Sequence, residues 1–230
     1  MLGVIAGTGF ERLFKGIETH CPTPYGSALA VLDQKRGIAF VSRHGFAHAI
    51  PPHKINHRAN FSAFKKLGVK EIVGISACGA ISNYSIGDLV LLQDFMDFRA
   101  PPTFFDSLES LEQHAWMVPP FSKTLGERLE RSAKKAGVQL KKGGVVAVTQ
   151  GPRLETPAEI KAFAKLGANL VGMTTSPEAI LARELGLQYA AIAVVSNYAA
   201  GLKGALAQDI GKNASAQSQK ILKLLLQLPK

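Results

Sequence analysis

Residues 43–61 read RHGFAHAIPPHKINHRANF and hold four of the chain's six histidines, His44, His48, His53 and His57, among Arg43, Lys54 and Arg58. Imidazoles and cations gathered this way serve metal ligation, acid–base chemistry or the holding of an anion. His44/His48 and His53/His57 each stand four residues apart, the spacing of two ligands on one helix face. Pro51-Pro52 breaks any helix the two pairs would share, and no Asp, Glu or Cys lies between Gln34 and Lys70 to neutralise a metal. Eight Lys or Arg residues in that span also suit a nucleic acid, yet no aromatic-rich binding pattern accompanies them. Lys65, Lys66 and Lys70 fall on what reads as a solvated helix face and end. A small anion fits the stretch better. Arg43 and His44 directly follow the apolar run IAFVS, so they stand at a strand end as a forked cation and a further donor.

An anion held at strand ends also wants backbone amides. The chain supplies Gly7-Thr8-Gly9 after its first apolar run and Ser76-Ala77-Cys78-Gly79-Ala80 after another, both suited to close approach of a phosphate. Each alone reads as an ordinary tight turn; three such turns after three strands, one carrying Arg-His, favour a shared site. The first turn is no dinucleotide fingerprint, because the third glycine would fall at Arg12, and no P-loop lysine follows. NAD and ATP are therefore weakly supported.

The elements that must carry these residues are legible as short apolar runs at 2–6, 28–33, 38–42, 71–76, 88–92, 145–150, 169–173 and 189–196. Many are apolar at consecutive positions, which implies burial on both faces and an α/β sheet covered by helices. Between them, Ile55, Ala59, Ala63, Phe64 and Leu67 recur at helical spacing and predict a helix over 54–67 that ends at Gly68. Thr156, Pro157 and Glu159 form a capping box with proline at the first helical position, and Ser176-Pro177-Glu178 starts a further helix that closes near Gly186. Residues 99–121, with four prolines and little periodicity, read as a long functional loop or a subunit-contact excursion, and residues 216–230 as a terminal amphipathic helix.

A chain of 230 residues that is 47% hydrophobic and 19% charged describes one domain, 1–230, with a large core. Its formal charge of +10 attracts polyanions, acidic surfaces and phosphorylated small molecules alike. Two cysteines, Cys21 and Cys78, exclude a disulfide framework and a four-cysteine zinc site and suit a reducing cytoplasm. No cationic leader and no apolar run long enough to span a bilayer are present, so we expect a cytoplasmic protein without a membrane partner.

Taken in order, GTG, RHG..H..PPHKINHRAN, ACGA, GD.V...DF.D, TQGPRLETPAEI, VGMTTSPEAILARELGL and SNYAAG resemble the trimeric purine nucleoside phosphorylases and methylthioadenosine phosphorylases over nearly the whole chain. The resemblance implies a single-domain α/β fold with a central mixed β-sheet flanked by helices. It implies phosphorolysis of a purine nucleoside to free base and ribose 1-phosphate or its 5-methylthio analogue. Nucleoside and inorganic phosphate would be the partners, the assembly a homotrimer, and neither metal, organic cofactor nor nucleic acid is called for. Carried over, the phosphate site is Thr8, Arg43, His44, Ser76, the Ala77 amide and Thr174; the base site is Leu154, Glu155 and Asn197. Met173 would pack under the sugar. His57 falls near the ribose side, with a helix-surface role as the alternative, and His114 would come from a neighbouring subunit to the 5′ end, with a ligand-free loop histidine as its alternative. His48 and His53 are left as structural.

Adenine-preferring members carry aspartate where this chain has Asn197, and a second aspartate where it has Ala199. Glu155 with Asn197 instead matches members that take 6-oxopurines, the closest being those that act on 5′-methylthioinosine. Carboxylate would accept from N1–H and amide donate to O6, whereas adenine offers no N1 hydrogen. The alternative for Glu155 is that it only caps the helix begun at Thr156. Other substrates consistent with the resemblance are inosine or guanosine, and methylthioadenosine; outside enzymes, a basic nucleoside- or nucleic-acid-binding protein on the same scaffold would explain the charge.

Overall fold

The computed structural model describes residues 1–100, 102–202 and 209–228. Nine strands form one mixed sheet: β1 (Leu2–Ala6), β2 (Ile17–Thr23), β3 (Gly26–Asp33), β4 (Ile38–Ser42), β5 (Glu71–Ala80), β6 (Leu89–Asp97), β7 (Lys141–Val148), β8 (Leu170–Gly172) and β9 (Gln188–Tyr198). The helices are α1 (His57–Lys66), α2 (Lys123–Ala136), α3 (Pro157–Leu166), α4 (Thr175–Glu184), α5 (Ile210–Ser215) and α6 (Ser218–Leu226). Strand order is β2-β3-β4-β1-β5-β8-β7-β6-β9, and β9 also pairs with β5. Five strands, β5, β8, β7, β6 and β9, thus close into a ring, from which β1, β4, β3 and β2 extend as an open sheet.

Successive side chains of a strand face opposite sides, and here both sides are covered. Along β9, Ala191, Ala193 and Val195 enter a core with Phe61, Phe64 and Leu181, on the side of α1 and α4. Their neighbours Ala190, Ile192 and Val194 enter a second core with Leu125, Leu129, Ile221 and Leu224, under α2 and α6. Ile5 against Val4 and Ala6 divides β1 in the same way. Burying each such Leu or Ile is worth about 1.5–3 kcal/mol, so the doubly apolar runs are held at the centre of the sheet.

Helix starts follow their caps. The spacing that predicts a helix from residue 54 is overridden locally: Pro52–Lys54 form a single 3-10 turn, Ile55 is extended, and Asn56 caps α1 by accepting from Ala59 N–H at 3.0 Å. At its other end α1 closes at Gly68, whose φ of 71° is left-handed. The capping box of α3 forms with both bonds made, Glu159 N–H to Thr156 Oγ1 at 3.2 Å and Thr156 N–H to Glu159 Oε2 at 2.7 Å. Thr174, the N-cap of α4, makes no side-chain cap bond. No helix among the described residues is long and apolar enough to cross a membrane.

Candidate active site

The carboxyl ends of β1, β4, β5, β8 and β9 converge on a cavity of about 390 Å³, within the range of small-molecule sites. Nine of the twelve residues singled out from the sequence line it: Thr8, Arg43, His44, Ala77, Thr174, Leu154, Glu155, Asn197 and Met173. Parallel pairing of β1 with β4 and β5 sets the loops that follow these strands side by side. In this way residues 8, 43 and 77, distant in sequence, share one wall.

Arg43 is 2% exposed and almost wholly committed to the protein. Its Nε–H donates to Glu178 Oε1 at 2.6 Å, and Nη2 donates to Glu178 Oε2 and to Ile5 O, each at 3.1 Å. Nη1 donates to Ile75 O at 2.7 Å. Of five guanidinium hydrogens, only one on Nη1 remains. The forked pair expected for an anion is made with Glu178 instead, because a fully buried carboxylate must be paired. Tyr189 donates a further hydrogen bond to Glu178 Oε2 at 2.7 Å, in space left by Gly74, whose added β-carbon would stand 2.0 Å from that hydroxyl. Burial pushes the Glu178 carboxyl up, and Arg43 and Tyr189 hold it down.

His44 is 5% exposed, with Nδ1 2.7 Å from Ile50 O. Burial first, then the adjoining Arg43 charge, pushes its pKa down to about 4, so the ring is neutral near pH 7. A β-carbon on Gly7 would lie 2.7 Å from Arg43 Nη1 and 3.1 Å from His44 Nε2, so both groups crowd against this glycine. The loop that follows is pinned by His48, at a left-handed φ of 54°, whose Nδ1 lies 2.7 Å from Glu11 Oε1; Gly9 N–H donates to the same oxygen at 3.0 Å. His48 lines the cavity and packs its ring 4.7 Å from that of His44. Left as structural from the sequence, it belongs to the site wall.

At another part of the wall, Glu155 is buried and accepts from Thr149 Oγ1 at 2.6 Å through Oε1, leaving Oε2 for a ligand. The capping alternative for Glu155 does not hold, since Thr156 and Glu159 cap α3 between them. Asn197 is oriented by Ser196 Oγ, which donates to Oδ1 at 2.8 Å, and by its own Nδ2, which donates to Tyr198 O at 2.9 Å. Its second Nδ2 hydrogen is uncommitted. Leu154 offers an apolar side chain that is 44% exposed on this wall. Met173 is held from behind: Arg99 Nη1 donates to its carbonyl at 2.5 Å.

Three of the twelve lie elsewhere. Ser76 is 3% exposed behind Thr174, with 3.1 Å between their hydroxyl oxygens, so it can act only through Thr174. His57 is neither on the cavity wall nor on a helix surface: it is 2% exposed at the first turn of α1, and neither ring nitrogen has a partner among the described residues. Burial, then Arg99, Arg43 and His44, hold its pKa well below the ordinary value. His114 is exposed on the long loop, with Nδ1 3.0 Å from Leu111 O, and does not touch its own chain's cavity. The supporting residues Glu178, Tyr189 and Arg99 escaped sequence reasoning, because each acts through a partner at least 11 residues away and no local spacing marks it.

Comparison with known proteins agrees with this arrangement. Residues 2–228 match the Phosphorylase superfamily. A probable S-methyl-5′-thioinosine phosphorylase of Methanopyrus kandleri is 42% identical over 207 residues, 87% of this chain and 80% of that protein. The 6-oxopurine nucleoside phosphorylase of Pyrococcus furiosus is 39% identical over 241 aligned positions, 98% of this chain and 90% of that one. Methylthioadenosine phosphorylase from Schistosoma mansoni, solved with adenine, superposes with a TM-score of 0.88 at 27% identity, over 99% of this chain and 89% of its own. With the match running from the first strand to the last helix, and relatives near 40% identity along most of its length, the chain belongs to the phosphorylase superfamily and is an enzyme of the nucleoside phosphorylase fold.

Proposed function

We propose that this enzyme cleaves 6-oxopurine nucleosides with inorganic phosphate, with 5′-methylthioinosine as favoured substrate and inosine or guanosine behind it. The observation that carries the reading is the pairing of a buried carboxylate, Glu155, with an amide, Asn197, on one cavity. Glu155 Oε2 can accept from purine N1–H, and the free Nδ2 hydrogen of Asn197 can reach O6. Adenine would leave the carboxylate facing a lone pair in a desolvated pocket, which costs several kcal/mol. Leu154 would pack on the purine face and Met173 under the sugar.

Phosphate would sit among Thr8, the Nη1 hydrogen of Arg43, His44, the Ala77 amide and Thr174. Held beneath the anomeric carbon, the anion is both nucleophile and counter-charge for the oxocarbenium-like sugar. No metal or organic cofactor enters this chemistry. His114 would reach the 5′ end of the nucleoside bound to a neighbouring copy, in a cytoplasmic homotrimer. Its surroundings support this: Leu111, Trp116 and Val118 on the same loop are 85%, 75% and 70% exposed.

A phosphate-dependent cleavage assay comparing methylthioinosine, methylthioadenosine, inosine and guanosine at equal concentration tests the reading. Preference for methylthioinosine supports both the base site and the 5′ pocket, and preference for inosine or guanosine retains only the first. Preference for methylthioadenosine overturns the base assignment, and no phosphate-dependent cleavage of any nucleoside overturns the whole.

A further inference from the structure

The setting of His44 decides which of its two nitrogens a ligand can meet and in what form. Ile50 N–H donates to His44 O at 3.0 Å, and His44 Nδ1 stands 2.7 Å from Ile50 O, so two bonds clamp residue and ring together. A carbonyl oxygen only accepts; Nδ1 therefore carries the hydrogen, and in the neutral ring Nε2 presents a lone pair. Nε2 lies beside Gly7, 3.1 Å from the position of an added β-carbon, where Arg43 Nη1 also comes within 2.7 Å. The two groups thus border the same small volume on the cavity wall, one an obligate donor and the other an acceptor. Burial and the Arg43 charge both oppose protonating the ring, which keeps the lone pair available near pH 7.

We propose that His44 Nε2 accepts the hydrogen of hydrogen phosphate, so that this subsite selects a protonated oxyanion and turns its unprotonated oxygens toward the sugar. The inference deepens the phosphorolysis reading and rests on it. The atom balance requires only that this hydrogen leave the phosphate by the end of the reaction. Hydrogen phosphate brings one O–H, whereas the sugar 1-phosphate dianion has none and the purine leaves with one N–H. As the phosphate oxygen bonds to the anomeric carbon, the glycosidic C–N bond breaks and its electron pair goes to the purine. The purine nitrogen takes a proton from solvent water, while the phosphate keeps its hydrogen bonded to the neutral Nε2; when the sugar 1-phosphate is released, that hydrogen passes to the hydroxide so formed. Sulfate has the same shape and charge but no hydrogen near neutral pH, so its oxygen lone pair would face that of Nε2. Hydrogen arsenate carries the hydrogen and would be accepted.

The test is made on the full-length enzyme near pH 8 with calorimetric titration of inorganic phosphate, arsenate and sulfate, alongside base release from inosine. We expect sulfate to bind at least about 30-fold more weakly than phosphate, since a buried acceptor left facing another acceptor is costly, and arsenate to fall within about 3-fold of phosphate. In H44N, the amide can keep the bond to Ile50 O but has nothing at the Nε2 position. Phosphate binding should weaken about 10-fold or more while sulfate binding changes little, so the selectivity collapses. Sulfate binding by the unmodified enzyme within about 3-fold of phosphate, with base release intact, would overturn the proposal and leave the phosphorolysis reading standing. Selective phosphate binding without base release from any nucleoside would do the reverse.

Discussion

Single atoms decide the chemistry of this cavity, and Gly7 shows how closely. A methyl group there would meet Arg43 Nη1 at 2.7 Å and the His44 ring at 3.0 Å. Gly7→Ala should therefore raise the phosphate KM by about 10-fold or more with a much smaller change in nucleoside KM, checked by varying each substrate in turn. At the base, Asn197→Asp replaces the donor to O6 by an acceptor. It should cut kcat/KM for hypoxanthine nucleosides by about 100-fold and raise the relative use of methylthioadenosine; unchanged relative rates would remove the assignment. Residue types were legible here wherever a motif follows a strand, as with Arg43-His44 or Glu155. What the sequence hides is the partner: the Arg43 fork reads as an anion clamp until Glu178, 135 residues on, is found in it.

Elements transmit these choices through buried charge. β4 and α4 are joined by Arg43–Glu178, both essentially sealed from water. Arg43→Ala should thus cost about 3–5 kcal/mol, a Tm drop on the order of 10 °C, in addition to turnover, so it does not report on phosphate alone. Replacing both partners with methionine should restore much of the Tm and none of the activity. Acid acts on the same region through β4 and α1. His44 and His57 stay neutral in the fold, whereas unfolded histidine takes up a proton near pH 6.5. Stability present above that value is lost as pH falls toward the folded pKa, about 4 for His44, which amounts to roughly 2 kcal/mol between about pH 7 and pH 5. Calorimetry across that range should show a smaller fall for His57→Leu. Elements were legible where both faces are apolar, as in β1, β5 and β9. β2 was not, because this outer strand buries only Cys21 and its IETHCPT sequence lacks an apolar run. The start of α1 shifted because Asn56, a better cap, overrode the hydrophobic spacing.

For the whole molecule, the chain leaves Leu111, Trp116 and Val118 exposed beside His114, which lies off the cavity of its own chain. In the proposed homotrimer a neighbouring copy brings His114 to the 5′ end of the nucleoside, and the mass in solution should be three times the 24.6 kDa chain. His114→Ala should then raise the KM for methylthioinosine by about 10-fold and move that for inosine by less than about 3-fold, as loss of one apolar contact would. A helix-covered sheet was legible from its runs, and its mixed character from the family resemblance. Its closure was not, because the β5–β9 and β6–β9 pairings join segments about a hundred residues apart and follow from no local pattern. That closure governs how the protein meets its own kind in a crowded cell. With five strands in a ring, the outermost strand of the described sheet is β2. There Pro22 has no N–H to offer, its carbonyl is taken by Lys66 Nζ at 3.2 Å, and Glu18 and His20 stand exposed on the strand. A margin so interrupted is a poor template for strand-by-strand stacking.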